Sequence, residues 1–312
     1  MNRPRIVVVG SSNTDMIIRV ERIPRPGETI LGGEFATAAG GKGANQAVAA
    51  ARAGGNVAFC AKVGTDVFGE QAMAGFVRDG INVEHVGRDS GAASGVALIF
   101  VARDGENSIG VASGANARLA PEDIDEARPA FEGAGTLLMQ LETPLETVLA
   151  AAEQAEKIGL QVILNPAPAQ PLPDRLLRRV SILTPNETEA ELLTGIPVMD
   201  EAGAIQAAQA LHGRGVTTVV ITLGARGCLV STAGAAVFVP GFPVSAVDTT
   251  AAGDIFNGAL AVALGEGQPI LEAARFACAA AAISVTCHGA QPSAPARAEI
   301  EQLLKVRVEG AI

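Results

Sequence analysis

Arg5-Ile-Val-Val-Val-Gly-Ser-Ser-Asn-Thr-Asp15 is a β-branched run that turns polar at its end. Successive apolar positions without alternation describe a strand buried on both faces, as in a parallel sheet. In open α/β sheets ligands bind beyond the carboxyl ends of the strands, so Asn13 and Asp15 are the first candidate ligand-binding residues. The same pair also reads as a turn that bonds its own backbone.

The rhythm recurs in both directions from this stretch. Val57–Val63 reads as a strand, the region Gly69–Asp79 as a helix and Ile81–Arg88 as a further strand. Beyond residue 119 the spacing predicts a helix over Pro121–Phe131 and a strand Thr136–Leu141 ending in Glu142. The helix Pro144–Ile158 has proline at its start and Gly159 at its end. Strands Gln161–Leu164 and Ser181–Leu183 follow, the latter ending in Thr184-Pro-Asn-Glu-Thr-Glu189, which opens a helix to Leu193; then come a helix Glu201–His212 and a strand Thr217–Ile221. Strands alternating with helices predict an α/β fold with a central, mostly parallel sheet sandwiched by helices. Two stretches break the alternation. Residues 16–38 read as short strands with sharp turns, and Ser94–Ala102 with Asn107–Val111 as a hairpin across Asp104-Gly105. These insertions, at about 16–38 and 94–112, predict a small β-sheet lid on a single domain spanning 1–312.

Composition narrows the function. With 23 Lys and Arg against 33 Asp and Glu the net charge is −10, and the chain has no Trp and no Tyr. A nucleic-acid surface needs a basic patch and stacking aromatics, which argues against that partner. Cys60, Cys228, Cys278 and Cys287 show no CxxC spacing, and three scattered histidines complete no zinc signature. Reduced, buried thiols in a cytoplasmic protein are the expectation. The opening run from Met1 to Val9 is too short in its apolar part for a signal peptide. The charge-free runs 227–247 and 276–296 are broken by Pro, Gly, Ser or Thr. They read as interior strands and an Ala-rich core helix, with no membrane partner implied.

Two glycine-containing stretches carry the chemistry. Gly40-Gly-Lys-Gly-Ala-Asn-Gln46 leads into an Ala-rich helix, Ala47–Ala53, closed by Gly54-Gly55. It is no Walker A loop, because Ala36 and Gly43 stand where that loop needs Gly and Ser or Thr. Its glycines still suit close approach of a ligand, with Lys42 and Asn45 as donors. Asp248-Thr-Thr-Ala-Ala-Gly-Asp254 precedes an apolar helix. If that helix starts near Ala252, its free N–H groups make an anion site with Asp254 beside it as a general base. An N-cap aspartate before a core helix gives the same local pattern.

These two stretches, with Asn186-Glu-Thr-Glu189 and Thr222-Leu-Gly-Ala-Arg-Gly227, occur in the order and spacing of the ribokinase-like (PfkB) carbohydrate kinases. The chain resembles that family over essentially its full length, including Leu98-Ile-Phe-Val101, Leu138-Met-Gln-Leu-Glu142 and Asn165-Pro-Ala-Pro168. The resemblance implies ATP-dependent phosphorylation of D-ribose at its 5-hydroxyl. A kinase for deoxyribose, fructose or a nucleoside, or a non-catalytic sugar sensor, is the alternative. It implies Asp254 as base, an anion hole at Ala252 and Gly253, and a sugar held by Asn13, Thr14, Asp15, Gly41, Lys42, Gly43, Ala44, Asn45 and Glu142. The nucleotide would lie along Asn186, Thr222, Leu223, Gly224, Ala225, Arg226, Gly227 and Gly253, with Cys278 at the adenine. Asp248, Thr250, Ser284, Cys287, Gly289 and Ser293 match the positions for an activating K⁺, and Glu189 the position linked indirectly to Mg²⁺. Glu189 also reads as a first-turn glutamate favoured by the helix dipole. Family members often carry Gly where this chain has Ala251, a change that keeps the backbone donor. The lid is implied to join two copies in a homodimer.

Overall fold

Thirteen strands form two sheets among residues 3–309, which a computed structural model describes; Met1, Asn2 and the last three residues lie outside them. In chain order the strands are β1 Arg5–Val9, β2 Asn13–Val20, β3 Glu34–Gly40, β4 Asn56–Gly64, β5 Val86–Asp89, β6 Gly95–Ala102 and β7 Asn107–Ala112. They continue as β8 Thr136–Met139, β9 Gln161–Leu164, β10 Ile182–Leu183, β11 Thr218–Thr222, β12 Gly227–Thr232 and β13 Ala235–Pro240. The large sheet has the order β13-β12-β11-β10-β9-β8-β1-β4-β5, and the small one β3-β2-β6-β7. From β11 to β5 the large sheet is parallel; β12 and β13 close it antiparallel.

β1 shows why the large sheet holds. Side chains alternate across a strand, so Ile6 and Val8 enter one core and Val7 and Val9 the other. All four are at most 1% exposed. Burying such a side chain contributes about 1.5–3 kcal/mol, which explains the unbroken aliphatic run. Helices Lys42–Arg52, Ala252–Gly265 and Ile270–Ser284 cover the first face; Leu145–Ile158 and Glu201–Gly213 cover the second. The first two of these helices pack closely because Gly258 has no side chain. A Cβ there would meet Ala49 Cβ at 2.6 Å and the Gln46 carbonyl at 2.7 Å.

Several expected elements shift. The helix after Gly41 begins at Lys42, not Ala47, so most of the glycine-rich motif forms its first turns. Its small residues tolerate burial against the end of β1, where a Cβ at Gly43 would lie 2.4 Å from the Ser11 nitrogen. Pro121–Phe131 divides into Pro121–Glu126 and Arg128–Phe131, because Pro129 lacks the N–H needed to continue the first helix. The strand expected over Ile81–Arg88 shortens to β5, after a turn in which Val86 N–H donates to the Val83 carbonyl. Of the supposed interior strands after residue 227, β12 is buried, but β13 is the sheet edge and mostly exposed. Cys60, Cys228 and Cys278 are buried free thiols, whereas Cys287 is exposed beyond the end of the helix Ile270–Ser284. Among the described residues no helix is long and apolar enough to cross a membrane.

The small sheet is built from the two inserted stretches. Its register places Asp15, Ala97 and Val111 in line on one face, and Ile18, Phe100 and Phe35 in line on the other. β2 leaves directly from the polar end of β1, which hangs the lid over the carboxyl edge of the large sheet.

Candidate active site

The large sheet changes direction at β1: the chain proceeds to β4 and β5 on one side, and to β8 and its successors on the other. Such a switch point leaves a crevice beyond the carboxyl ends of the two diverging strands. Ser11 follows β1 and Glu142 follows β8, and Ser11 Oγ donates to Glu142 Oε2 at 2.5 Å. The same carboxylate oxygen accepts the Lys42 backbone N–H at 2.9 Å, so the start of the helix Lys42–Arg52 is tied across the crevice. Gly41 makes the connection with φ 87°; a Cβ there would collide with the backbone of Ser12 and Asn13. Asn13 Oδ1 accepts from Asn116 Nδ2 at 2.7 Å, which fixes the entry to the lid.

Asp254 lies opposite, in the first turn of the helix Ala252–Gly265. It is no N-cap: its Oδ2 accepts from Asn45 Nδ2 and its Oδ1 from Gln46 Nε2, both at 2.9 Å. Burial pushes its carboxyl above the usual range, against the pull of Lys42 and the two amide donors. Asp15 is raised to about 6, by burial first and then by Glu142 and Asp254, despite Lys42. Lys42 is itself buried, which alone would lower it, but Asp254, Glu142, Glu189 and Asp15 together hold it above the ordinary lysine value. One ammonium thus stands among four carboxylates, a cluster of shifted titratable groups of the kind that concentrates at functional sites. Gly253 faces open space, with nothing within 4 Å of where a Cβ would be.

A second group lines up beside β10 and β11. Asn186 pairs with Thr222 in a parallel bridge and caps the helix Glu187–Thr194: Glu189 N–H donates to Asn186 Oδ1 at 2.8 Å, and Asn186 N–H to Glu189 Oε2 at 2.9 Å. Burial raises the Glu189 carboxyl in spite of that bond. Thr222–Gly227 turns through Gly224 at φ 57° and Gly227 at φ 99°, conformations that favour glycine.

Residues 3–297 match the pfkB family carbohydrate kinase domain. The chain is 49% identical over 303 residues to a ribokinase of Haemophilus influenzae, covering 97% of this chain and 99% of that one. It is 39% identical over 302 residues to a deoxyribokinase of Salmonella typhimurium, covering 96% and 99%. Its fold matches that of an Arabidopsis thaliana ribokinase solved with ribose and ATP, with TM-score 0.92 and 37% identity over 97% and 99% of the two chains. The chain belongs to the pfkB family of carbohydrate kinases.

In this pfkB kinase the crevice brings together Asp15, Lys42, Asn45, Glu142, Glu189 and Asp254. Thr14 alternates with Asn13 and Asp15 along β2, so its side chain occupies the other lid face. The Ala44 N–H is already given to the Ser11 carbonyl at 2.8 Å. Ala252 N–H closes a turn on the Thr249 carbonyl at 3.3 Å, whereas Gly253 and Asp254 N–H have no acceptor among the described residues. Arg226 pairs with Glu187 at 3.3 Å. Asp248 accepts the Thr250 N–H on Oδ1 and the Gly289 N–H on Oδ2, both at 2.9 Å, which draws two of the predicted cation-site segments together. These bonds hold its carboxyl below the usual range, although partial burial opposes them. The hydroxyls of Ser284 and Ser293 donate to carbonyls of their own turns. Cys278 Sγ rests 3.8 Å from Cys228 Sγ. Among the described residues there is no cluster of three His, Cys, Asp or Glu suited to a metal ion.

Sequence reasoning assigned no role to Ser11, Asn116, Gln46, Gln140 or Asn165, which hold the crevice together. The available signal was polarity inside apolar runs: Gln140 stands between Met139 and Leu141, and Gln46 inside an alanine-rich helix.

Proposed function

We propose that this pfkB kinase transfers the γ-phosphoryl group of ATP to the 5-hydroxyl of D-ribose, giving D-ribose 5-phosphate and ADP. Asp254 carries the reading: a buried carboxylate held by two amides, beside unbonded N–H groups at a helix start. The ribokinase of Haemophilus influenzae and the ribose- and ATP-bound Arabidopsis structure support it.

Phosphoryl transfer needs positioning and charge neutralisation more than covalent help. The sugar oxygen forms a bond to the γ-phosphorus as its proton passes to Asp254; the bond from that phosphorus to the β-phosphate oxygen breaks, and ADP leaves. A placed base contributes about 10²–10⁴-fold. The N–H groups of Gly253 and Asp254 and the Lys42 ammonium meet charge on the transferring group. Asn45 Oδ1 is buried without a hydrogen-bond partner, an acceptor ready for a sugar hydroxyl. Glu142 and Asp15 accept the remaining hydroxyls, and glycines at 224 and 227 admit the nucleotide phosphates.

Mg²⁺, when bound, neutralises phosphate charge, and Glu189 has a carboxylate oxygen left after its cap bond to serve it through water. K⁺, when bound, adds positive charge beside the anion hole; Asp248, Thr250 and the Cys287–Ser293 turn offer it oxygens. A second copy of the chain covers the outer lid face, where Phe35 and Leu98 are exposed. Unlinked thiols fit a reducing cytoplasm.

The test is ADP release with ATP, Mg²⁺ and K⁺ across ribose, deoxyribose, fructose and nucleosides. Ribose gives the highest kcat/KM, Asp254→Asn lowers kcat by about 10²–10⁴-fold, and omission of K⁺ lowers the rate. Preference for deoxyribose would correct the substrate, and an Asp254→Asn variant as active as wild type would sink the mechanism.

A further inference from the structure

Gln46 and Gln140 are fully buried amides with no part in the transfer described above. Gln46 follows Asn45 in the helix Lys42–Arg52, and Gln140 follows β8, two residues before Glu142. Gln46 Nε2 donates to Asp254 Oδ1 at 2.9 Å and to Asn165 Oδ1 at 3.1 Å, while its Oε1 accepts from Gln140 Nε2 at 2.6 Å. A primary amide presents a donor at one end and an acceptor at the other. Turned over, Gln46 would aim a carbonyl at a carboxylate; the bond from Gln140 opposes that turn. Gln140 is in turn confined against Gly10, where a Cβ would lie 2.1 Å from its Oε1. That oxygen has no hydrogen-bond partner, and a buried acceptor left alone opposes folding. Stability alone therefore does not account for an amide here, whereas control of Gln46 does.

We propose that Gln140 and Gln46 form a positioning relay that holds the Asp254 carboxylate, through Oδ1, in the orientation that receives the sugar proton. The relay rests on Asp254 as the base. It acts from behind, leaving the Asn45 side of the carboxylate to the substrate. The charged groups facing Asp254 are Lys42 from the neighbouring helix, Asp15 from β2, Glu142 after β8 and Glu189 from the helix Glu187–Thr194. Substitution of either glutamine leaves all four in place.

The experiment compares wild type, Gln46→Leu, Gln140→Leu and the double variant, each shown folded by circular dichroism. The carboxyl band of Asp254, assigned with Asp254→Asn, is titrated by infrared spectroscopy without substrate, and kcat and KM for ribose are measured against pH. Gln46→Leu is expected to raise the Asp254 midpoint by about one unit, because a donor to the charged form is lost. It lowers kcat by about 10²-fold, the cost of a misplaced group, with KM near the wild-type value. Gln140→Leu moves both readouts in the same direction by less, and the double variant is no worse than Gln46→Leu, because the two act in series. An unmoved midpoint in folded Gln46→Leu, or additive losses in the double variant, overturns the relay. Should Gln46→Leu not fold, the same titration on Gln140→Leu decides. Absence of ribose turnover in wild type would sink the kinase reading but not the relay, which the titration still tests.

Discussion

The central sheet and the lid spend the same aliphatic residues in opposite ways. Leu138 in β8 is 0% exposed, buried between layers of helices, whereas Leu98 in β6 is 54% exposed on the outer lid face. The large sheet is covered on both faces; the small sheet borders the crevice on one face and keeps apolar surface uncovered on the other. The first arrangement supplies folding free energy. The second leaves one face to the crevice and an apolar face uncovered, the face proposed above to meet a second copy.

The largest effect should separate the two sheets. Leu138→Ala is expected to lower the unfolding free energy by about 2–5 kcal/mol, because it opens a cavity in a two-sided core. Leu98→Ala should change it by no more than about 0.5 kcal/mol, measured by urea denaturation at concentrations where the chain is monomeric. In sedimentation the Leu98 variant should shift toward monomer while the Leu138 variant does not. Equal stability losses would break the contrast.

The next effect lies where the two sheets meet. Asp15 has its carboxyl raised from 3.8 to about 6 by burial and by Glu142 and Asp254. Between those values the folded chain binds more protons than the unfolded one, so Asp15's contribution to stability falls as pH rises from about 4 to about 6. Asp15→Asn removes that dependence. The stability of the variant relative to wild type should therefore increase across this window in thermal melts at stepped pH, and a constant difference would place Asp15 in a solvent-like setting.

The smallest effect concerns the backbone leading into the helix Ala252–Gly265. Ala251 adopts φ 59° and ψ 12°, a left-handed conformation that a Cβ disfavours. Ala251→Gly should stabilise the protein by about 0.5–1 kcal/mol, read from the urea midpoint. A lower midpoint would show that this turn gains more from a restricted unfolded chain than it loses to strain.

Much of this molecule was legible in its sequence. Arg5–Asp15 gave a buried strand with polar residues beyond it, because an aliphatic run without alternation fits only a strand covered on both sides. The α/β alternation, the two lid insertions and the helix start at Ala252 were readable for the same local reasons. The start at Lys42 was not, since Gly43 weakens the local helix signal, and the close packing against Ser11 and Gly10 that suits a glycine there is set by tertiary structure. The exposure of β13 depends on its position at the end of the strand order, which its apolar composition does not encode.

The site divides in the same way. Local chemistry singled out Asp254, Asp15, Lys42 and Asn45 as candidates for ligand binding and catalysis, while Glu142 entered only through the family resemblance. It left Asp254 open to a capping role; only the tertiary structure, which turns Asn45 and Gln46 from another helix onto its two oxygens, removed that reading. The buried amide pair Gln46 and Gln140 belonged wholly to tertiary structure, because a hydrogen bond between residues 94 positions apart has no local signature. What the sequence determined by itself was which segments become strands and helices and which residues could do chemistry, since both follow from local preference and residue type. Which oxygen meets which donor was decided by the packing of the helices Lys42–Arg52 and Ala252–Gly265, brought close at Gly258.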